Sequence, residues 1–164
     1  MADIKFSAFT AGVTTSNTRI VGYDSTGSTN NQYTLTQVAD GLKEHLPESF
    51  IIACSDETTA LTTGTKATFR MPYAFTVTAV RASLTTAGTT SGVTTVDINE
   101  SGSSILSILL TIDQGQLTST TAATPPVISD ASLANDGQMT IDVDGLSGGA
   151  TEAGLKVTII GYQS

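Results

Sequence analysis

From residue 50 onward, the chain consists of short runs of strand-forming residues, separated by turn-forming residues, and in several of these runs apolar and polar residues alternate. Alternation with a period of two places one set of side chains on each face of a β-strand, so one face can be buried. The runs lie at residues 50–55, 65–71, 74–86, 93–99, 104–112, 138–144 and 154–162, with weaker segments near 116–119 and 126–129. About eight strands with connections of mixed length predict a two-sheet β-sandwich, and they favour a jelly-roll-like topology.

Threonine is unusually common in this chain, and its chemistry supports the same fold class. The sequence has 30 Thr and 17 Ser in 164 residues, whereas aromatic residues supply 5%. Thr is β-branched and suits the half-exposed surface of a pleated sheet. The composition therefore predicts an all-β protein.

One of the predicted strands changes its buried face along its length. The apolar residues fall first at odd positions and then at even ones, in the order Phe75, Val77, Ala79, Val80, Ala82 and Leu84. Because a shift of one residue moves every later side chain to the opposite face, this pattern predicts a bulge or bend, such as occurs where a strand crosses between sheets.

The connections between the strands are rich in Thr, Ser and Gly. Two of them, at residues 85–95 and 145–151, are predicted to form polar loop tips. Residues 118–126 end in two prolines, which exclude a central strand and predict a surface crossover. Residues 130–135 are predicted to close into one helical turn capped by Asp130.

The first fifty residues have a different pattern and predict a separate N-terminal arm, residues 1–46. Short strands are predicted at 4–9 and 19–23, and residues 24–31 have the composition of a turn. Apolar residues at 35, 38, 39 and 42 have helical spacing, with Thr34 or Thr36 as the N-cap. The helix is predicted over about residues 35–45 and must stop before Pro47. The sandwich domain is then predicted over residues 50–164.

The titratable residues do not suggest catalysis or a cofactor. The single His, His45, lies at the predicted helix end, where the helix dipole favours a cation. The single Cys, Cys54, lies in an apolar run and is predicted to be a small buried hydrophobic residue. No Gly-x-Ser-x-Gly motif occurs in the sequence. We therefore expect a protein that is not an enzyme and needs no cofactor.

The sequence favours neither a zinc site nor a calcium site. Zinc usually requires three or four Cys or His ligands, and the chain has one of each. Asp142 and Asp144, followed by Glu152, resemble a calcium loop but lack its third acidic position. These two aspartates also alternate with Ile141 and Val143, so the simpler interpretation is the solvent-facing side of a strand. The sequence predicts no metal.

Charge limits the partners that the chain can bind. The net charge is −8, and the seven basic residues are scattered, which argues against nucleic acid. No apolar run approaches the length of a membrane helix, so no membrane partner is expected. The segment 1–5 lacks the apolar core of a secretory signal, so we expect synthesis in the cytoplasm.

Aromatic residues cluster around residue 70. Phe69, Tyr73 and Phe75 flank Arg70, and this segment either caps the core or contacts a neighbouring subunit. Phe69, Arg70 and Tyr73 are therefore the candidate subunit interface.

The N-terminal region resembles the attachment segments of tailed-bacteriophage fibre and accessory head proteins. The resemblance covers residues 4–10, 19–23 and 33–40, which in that family form a strand, a second strand with a polar loop, and a small helix. It implies attachment through Ile4, Phe6, Phe9, Ile20, Val21 and Tyr23.

Residues 64–77, 81–84, 95–99 and 105–107 are similar to a β-sandwich module found in virion structural proteins of phages, including those of cyanobacteria and marine bacteria. Residues 119–128 and 154–157 also fit that module. The resemblance implies a virion location, other virion proteins as partners (the major capsid protein, or tail and fibre proteins) and a homo-oligomer, with a trimer favoured.

Two functions follow from these expectations. The first is a capsid decoration, cement or head-fibre protein attached by its N-terminal arm. The alternative is a short tail fibre or adhesin whose loop tips at 85–95 and 145–151 contact a host-surface glycan or protein. A capsule-degrading enzyme is the third class, but a sugar cleft usually needs aromatic platforms, and Trp is absent.

Overall fold

A computed structural model describes residues 19–24, 29–43, 46–149 and 151–164. The chain divides into two compact units, Met1–Leu42 and Lys43–Ser164. The strand predicted at residues 4–9 lies outside the described residues.

The first unit contains a β-hairpin followed by a short helix. Strand β1 (Arg19–Asp24) pairs antiparallel with β2 (Thr29–Thr34), and α1 (Leu35–Leu42) follows directly. Residues 29–31, which were predicted as turn, belong to β2. Their Thr and Asn side chains are typical of loops, so the backbone pairing with β1 decides their conformation.

Helix α1 begins with a capping box. The Gln37 N–H donates to Thr34 Oγ1 at 3.1 Å, and the Thr34 N–H donates to Gln37 Oε1 at 2.8 Å. Two backbone donors at the helix start are thereby satisfied, and Thr34 is the N-cap. The helix ends at Leu42, and Glu44 and His45 lie outside the described residues.

The second unit is an antiparallel all-β structure, which confirms the predicted fold class. One four-stranded sheet has the order β11-β5-β13-β3, and the other has the order β4-β12-β6-β7, with β9 also paired to β6. Strands β8 and β10 form a separate pair. The strands are β3 (Glu48–Ala53), β4 (Gly64–Arg70), β5 (Phe75–Ser83), β6 (Val93–Glu100), β7 (Ser103–Ser104), β8 (Leu106–Ile108), β9 (Leu110–Asp113), β10 (Val127–Ile128), β11 (Ser132–Leu133), β12 (Gln138–Gly145) and β13 (Lys156–Gln163). The jelly-roll topology stays a prediction.

The alternating residues of both sheets meet in one core. Phe75, Leu155, Val157, Ile159, Val96, Ile98, Met139 and Ile141 are all fully buried. Cys54 belongs to the same cluster, as predicted, and burial raises the pKa of its thiol to about 11. The thiol therefore stays protonated at neutral pH and acts as a packing group.

A β-bulge lies where the sequence changes its buried face. Ala79 faces Ile160 and Val77 faces Gly161 on β13, so Thr78 has no opposite residue there. The extra residue restores the alternation, and Phe75 and Val77 before it and Val80 and Ala82 after it are all buried. The predicted bulge is confirmed. Strand β5 continues along β13 to Ser83 and does not cross to the other sheet.

Three predicted elements differ from the structure. The weak strand segment near 116–119 is not a strand, since Thr118 forms an isolated bridge to Ser83 and Ser119–Thr121 form a 3-10 helix. Residues 130–135 do not form a helical turn, because Ser132 and Leu133 pair with β5. Asp130 Oδ1 accepts the Ser132 N–H at 3.1 Å, so the side chain closes a turn before a strand instead of capping a helix. The run 104–112 is divided among β7, β8 and β9.

Gly161 is required at the bulge because the neighbouring strand approaches it closely. A Cβ atom at this position would lie 1.9 Å from the Thr76 carbonyl oxygen and 2.7 Å from the Phe75 ring. We expect Gly161→Ala to lower the free energy of unfolding by about 2–3 kcal/mol, since the strands would have to separate. Urea unfolding measures this. The control is Gly145→Ala on β12, whose Cβ would meet Thr95 at an ordinary 3.5 Å. Equal effects of the two substitutions would contradict the expectation.

Candidate functional site

The two polar loops singled out in the sequence meet at one end of the sandwich. The Gly148 N–H donates to the Ser91 carbonyl at 3.0 Å, and the Thr151 hydroxyl donates to the Ala87 carbonyl at 3.2 Å. The hydroxyls of Thr89 and Thr151 lie 3.3 Å apart. We call the exposed side chains at this end, Thr89, Thr90, Ser91 and Thr151, the hydroxyl tip.

A buried carboxylate holds the base of the hydroxyl tip. Glu152 is fully buried, and its Oε1 accepts the Ser147 N–H at 2.8 Å, the Ser147 hydroxyl, and the Thr94 hydroxyl at 3.0 Å. A Cβ atom on Gly88 would lie 2.6 Å from the same oxygen, so a side chain on the first loop would displace it. Glu152 therefore connects the 145–151 loop to β6, and the 85–95 loop packs directly against Glu152.

The charge of Glu152 is stabilised by these donors. Burial acts to raise the pKa of the carboxyl group, but the hydrogen bonds from Ser147 and Thr94 outweigh burial and hold the pKa below its ordinary value. Among the described residues, the second oxygen, Oε2, has no hydrogen-bond partner. A buried ionised Glu with three donors on one oxygen is a structural anchor for the loops.

The calcium interpretation has no support in the geometry. Glu152 is engaged by Ser147 and Thr94, whereas Asp142 accepts hydrogen bonds from Asn99 Nδ2 at 2.8 Å and Thr140 Oγ1 at 2.9 Å. Asp144 is largely exposed. The pKa of its carboxyl group is raised by the burial that remains and by the charges of Asp97 and Asp142. In the described part of the chain, no three His, Cys, Asp or Glu residues are grouped so that they could hold a metal ion. The same residues include no helix long and apolar enough to cross a membrane.

The predicted subunit interface lies beside strand β3. The Tyr73 ring is 5.9 Å from that of Phe50, and the Tyr73 hydroxyl donates to Glu48. Phe69 is half-buried against the core. Arg70 is exposed, and its Nη1 donates to the Asp136 carbonyl at 2.7 Å. The structure thus brings Phe69, Arg70 and Tyr73 close to one strand of the opposite sheet.

A shallow groove of about 640 Å³ runs along this strand. Ile51, in the middle of β3, is 70% exposed and is the most exposed of the large apolar residues in the described chain. The sequence analysis did not single out Ile51, because residues 50–54 are a continuous apolar run in which no alternation marks the exposed face. The groove lining comprises Ser49, Phe50, Ile51, Ile52, Ala53, Phe69, Arg70 and Pro72.

The predicted attachment residues lie in the first unit. Ile20 is on β1 and is 42% exposed. Val21 and Tyr23 are on the same strand, but their side chains are not among those described, and Ile4, Phe6 and Phe9 lie outside the described residues. The sequence analysis placed Leu35 and Leu42 on the apolar face of the helix but not among the attachment residues, and the structure leaves them 37% and 47% exposed on α1.

Comparisons with known proteins do not assign the chain to a family. No protein-family model matches the sequence, and no curated protein matches it.

Replacing the Glu152 carboxylate is expected to destabilise the sandwich. Glu152→Ala leaves three buried donors unpaired, so the free energy of unfolding should fall by about 3 kcal/mol. The control Glu57→Ala removes an exposed carboxylate that pairs with Lys156, and it should lower the free energy of unfolding far less, because solvent screens an exposed ion pair. Chemical denaturation measures both. Similar losses would show that Glu152 is not an anchor.

The same anchor predicts a pH dependence. Since the folded-state pKa of Glu152 lies below the unfolded value of about 4.3, its stabilisation is complete above that pH and is lost as the pH falls through the folded pKa. The stability difference between the wild type and Glu152→Gln should therefore narrow below about pH 4. A difference that stays constant down to pH 2 would contradict the assigned direction.

Proposed function

We propose that the chain is a non-enzymatic structural protein of a tailed-phage particle, a capsid decoration, cement or head-fibre protein attached by its N-terminal unit. The resemblance of residues 4–40 to phage attachment segments motivates the proposal. Its partners are other virion proteins, its final location is the particle, and it is made in the host cytoplasm.

The observation that carries the proposal is the exposed apolar stripe of α1. The helix has eight residues and none of them is buried. Leu35, Val38, Ala39 and Leu42 have the spacing of one helix face, and the two leucines are substantially exposed. A helix this short gains its stability mainly from packing of an apolar face. A partner surface that covers the stripe would supply that packing.

Charging the apolar stripe should weaken attachment to the particle. We expect the double variant Leu35→Lys, Leu42→Lys to reduce incorporation into particles by about tenfold or more, because desolvating two ammonium groups opposes docking. Quantitative mass spectrometry of particles purified from the phage that encodes the chain measures incorporation.

Thr36→Lys is the matched control, since Thr36 is exposed on the same helix but lies off the stripe. It should be incorporated like the wild type. Particles that lack the wild-type chain, or that take up the double variant normally, would contradict the proposal. Immunogold labelling of the same particles distinguishes a head location from a tail location.

The hydroxyl tip supports a second candidate, a short tail fibre or adhesin that binds a host-surface glycan. Both loops of the tip meet at one end of the sandwich, and their exposed side chains are hydroxyls that can donate and accept hydrogen bonds with sugar hydroxyls. Glu152 anchors the loops from beneath, so the tip is held in position before a ligand arrives.

Removing the hydroxyls distinguishes this candidate from the first. If the tip binds a glycan, the triple variant Thr89→Ala, Thr90→Ala, Thr151→Ala should lose at least about tenfold in host-cell binding, since each lost hydrogen bond costs about 1 kcal/mol. Thr68→Ala, an exposed Thr on β4, is the control and should bind normally. Flow cytometry with the labelled chain measures binding. Unchanged binding of the triple variant would exclude the tip as the receptor site.

A further inference from the structure

Strand β3 lies at the edge of its sheet, and within the described part of the chain one row of its backbone groups has no strand partner. It pairs with β13 on one side, and among the described residues no strand pairs with its other side. The Cys54 N–H donates to the Leu155 carbonyl, so the even-numbered residues of this segment direct their backbone groups toward β13. The odd-numbered residues Ser49, Ile51 and Ala53 therefore direct their N–H and C=O groups outward. We call these six groups the open edge.

The corresponding edge of the other sheet is protected, but the open edge is not. On β4, Lys66 has no residue opposite it on β12 and forms a bulge, and Arg70 ends the strand. Bulges and cations are the devices by which edge strands avoid pairing with other chains. Strand β3 has no bulge against β13, its one charged residue is Glu48 at its first position, after Pro47, and its centre presents the 70% exposed Ile51. Its sequence is what an edge that pairs would have.

We propose that the open edge pairs antiparallel with the same edge of a second copy of this chain, about a two-fold axis at Ile51. In this register Ile51 lies opposite its own copy, and Ser49 lies opposite Ala53 of the other chain. All three positions are of the hydrogen-bonded type, so the six outward groups of each copy form six hydrogen bonds between the chains. The pair would join two four-stranded sheets into one.

Side chains on both faces fit the same register. On the inner face, Phe50 lies opposite Ile52 of the other copy, and both residues are half-buried and line the groove. On the outer face the two Ile51 side chains lie side by side. Glu48 lies opposite Cys54, so no like charges face each other directly across the axis, although each chain carries a net charge of −8.

Neighbouring registers satisfy fewer backbone groups. A shift of the axis by one residue toward the N-terminus places Ala53 opposite Pro47, which has no N–H to donate. A shift toward the C-terminus places Ser49 opposite Ser55, which lies beyond the end of β3 and whose hydroxyl accepts the Leu155 N–H at 2.9 Å. In the register centred on Ile51, every outward N–H and C=O group of β3 has a partner within the length of the strand.

The oligomeric state of the full chain tests the proposal. Sedimentation velocity over about two decades of concentration, up to about 100 µM, should show a concentration-dependent dimer of the 16.8 kDa chain. Ile51→Lys places two ammonium groups opposite each other and should raise the dissociation constant by about a hundredfold or more. Leu117→Lys is the matched control, since Leu117 is an exposed apolar residue (48%) away from β3 and should leave the dimer unchanged.

A cross-linking variant keeps the test independent of charge. Opposed residues of a hydrogen-bonded pair have Cα atoms about 5.5 Å apart, within the range of a disulfide. Ile51→Cys should therefore form a disulfide-linked dimer under mild oxidation, whereas Leu117→Cys should not. Circular dichroism and the midpoint of thermal unfolding establish that each variant is folded.

Three results would overturn the two-fold pairing. The first is a monomer at every concentration, and the second is a dimer or trimer that Ile51→Lys leaves intact. The third is that the amides of Ser49, Ile51 and Ala53 resist hydrogen exchange as strongly in a dilute monomer as at high concentration. The last result would mean that another part of the same chain covers the open edge. None of them bears on incorporation into particles, so this inference and the proposed attachment function fail separately.

Discussion

The alternation of apolar side chains along β5 and β13 is the constraint on which the sandwich depends. These two strands form the centre of one sheet, and their inward residues meet those of β6 and β12 from the other. The nine residues of β5 contain one residue too many for a strict alternation, and the bulge at Thr78 removes the mismatch. Gly161 makes the close strand approach possible at that point. Burial of the apolar face therefore determines the local backbone geometry.

The ends and edges of the sandwich differ in how they satisfy their polar groups. At the loop end, the buried carboxylate of Glu152 accepts three hydrogen bonds and joins residues far apart in the sequence. At the β4 edge, Lys66 forms a bulge, a feature that opposes pairing with another strand. At the β3 edge, no described strand pairs with the outward backbone groups. These differences distinguish a loop end held by hydrogen bonds to Glu152, a bulged edge at β4 and an unbulged edge at β3.

The function proposed here follows from surfaces and not from reactive groups. Cys54 is buried with a raised thiol pKa, and the carboxylates with described partners form hydrogen bonds that fix loops or strand ends. Asp56 shows this clearly, since N–H groups of Thr59 and Thr58 hold the pKa of its carboxyl group at about 2. The exposed stripe of α1, the hydroxyl tip and the open edge are three separate surfaces through which a structural protein could make contacts.

The sequence by itself determined the all-β class, most strand positions, a helix start at Thr34 or Thr36, and the change of buried face in β5 that predicts a bulge or bend. These features depend on periodicity and on local hydrogen bonds, which a single strand or turn encodes within a few residues. The sequence did not predict the first residues of β2 or strand β11, because both segments contain residues typical of turns. Pairing with an adjacent or distant strand overrides that local preference. Tertiary structure alone decided that the two polar loops meet, that Glu152 is buried beneath them, and that β3 is an edge while β13 is central. Some of those facts depend on contacts between residues a hundred or more positions apart, such as Ser55 and Leu155, and no local pattern records which strands become neighbours.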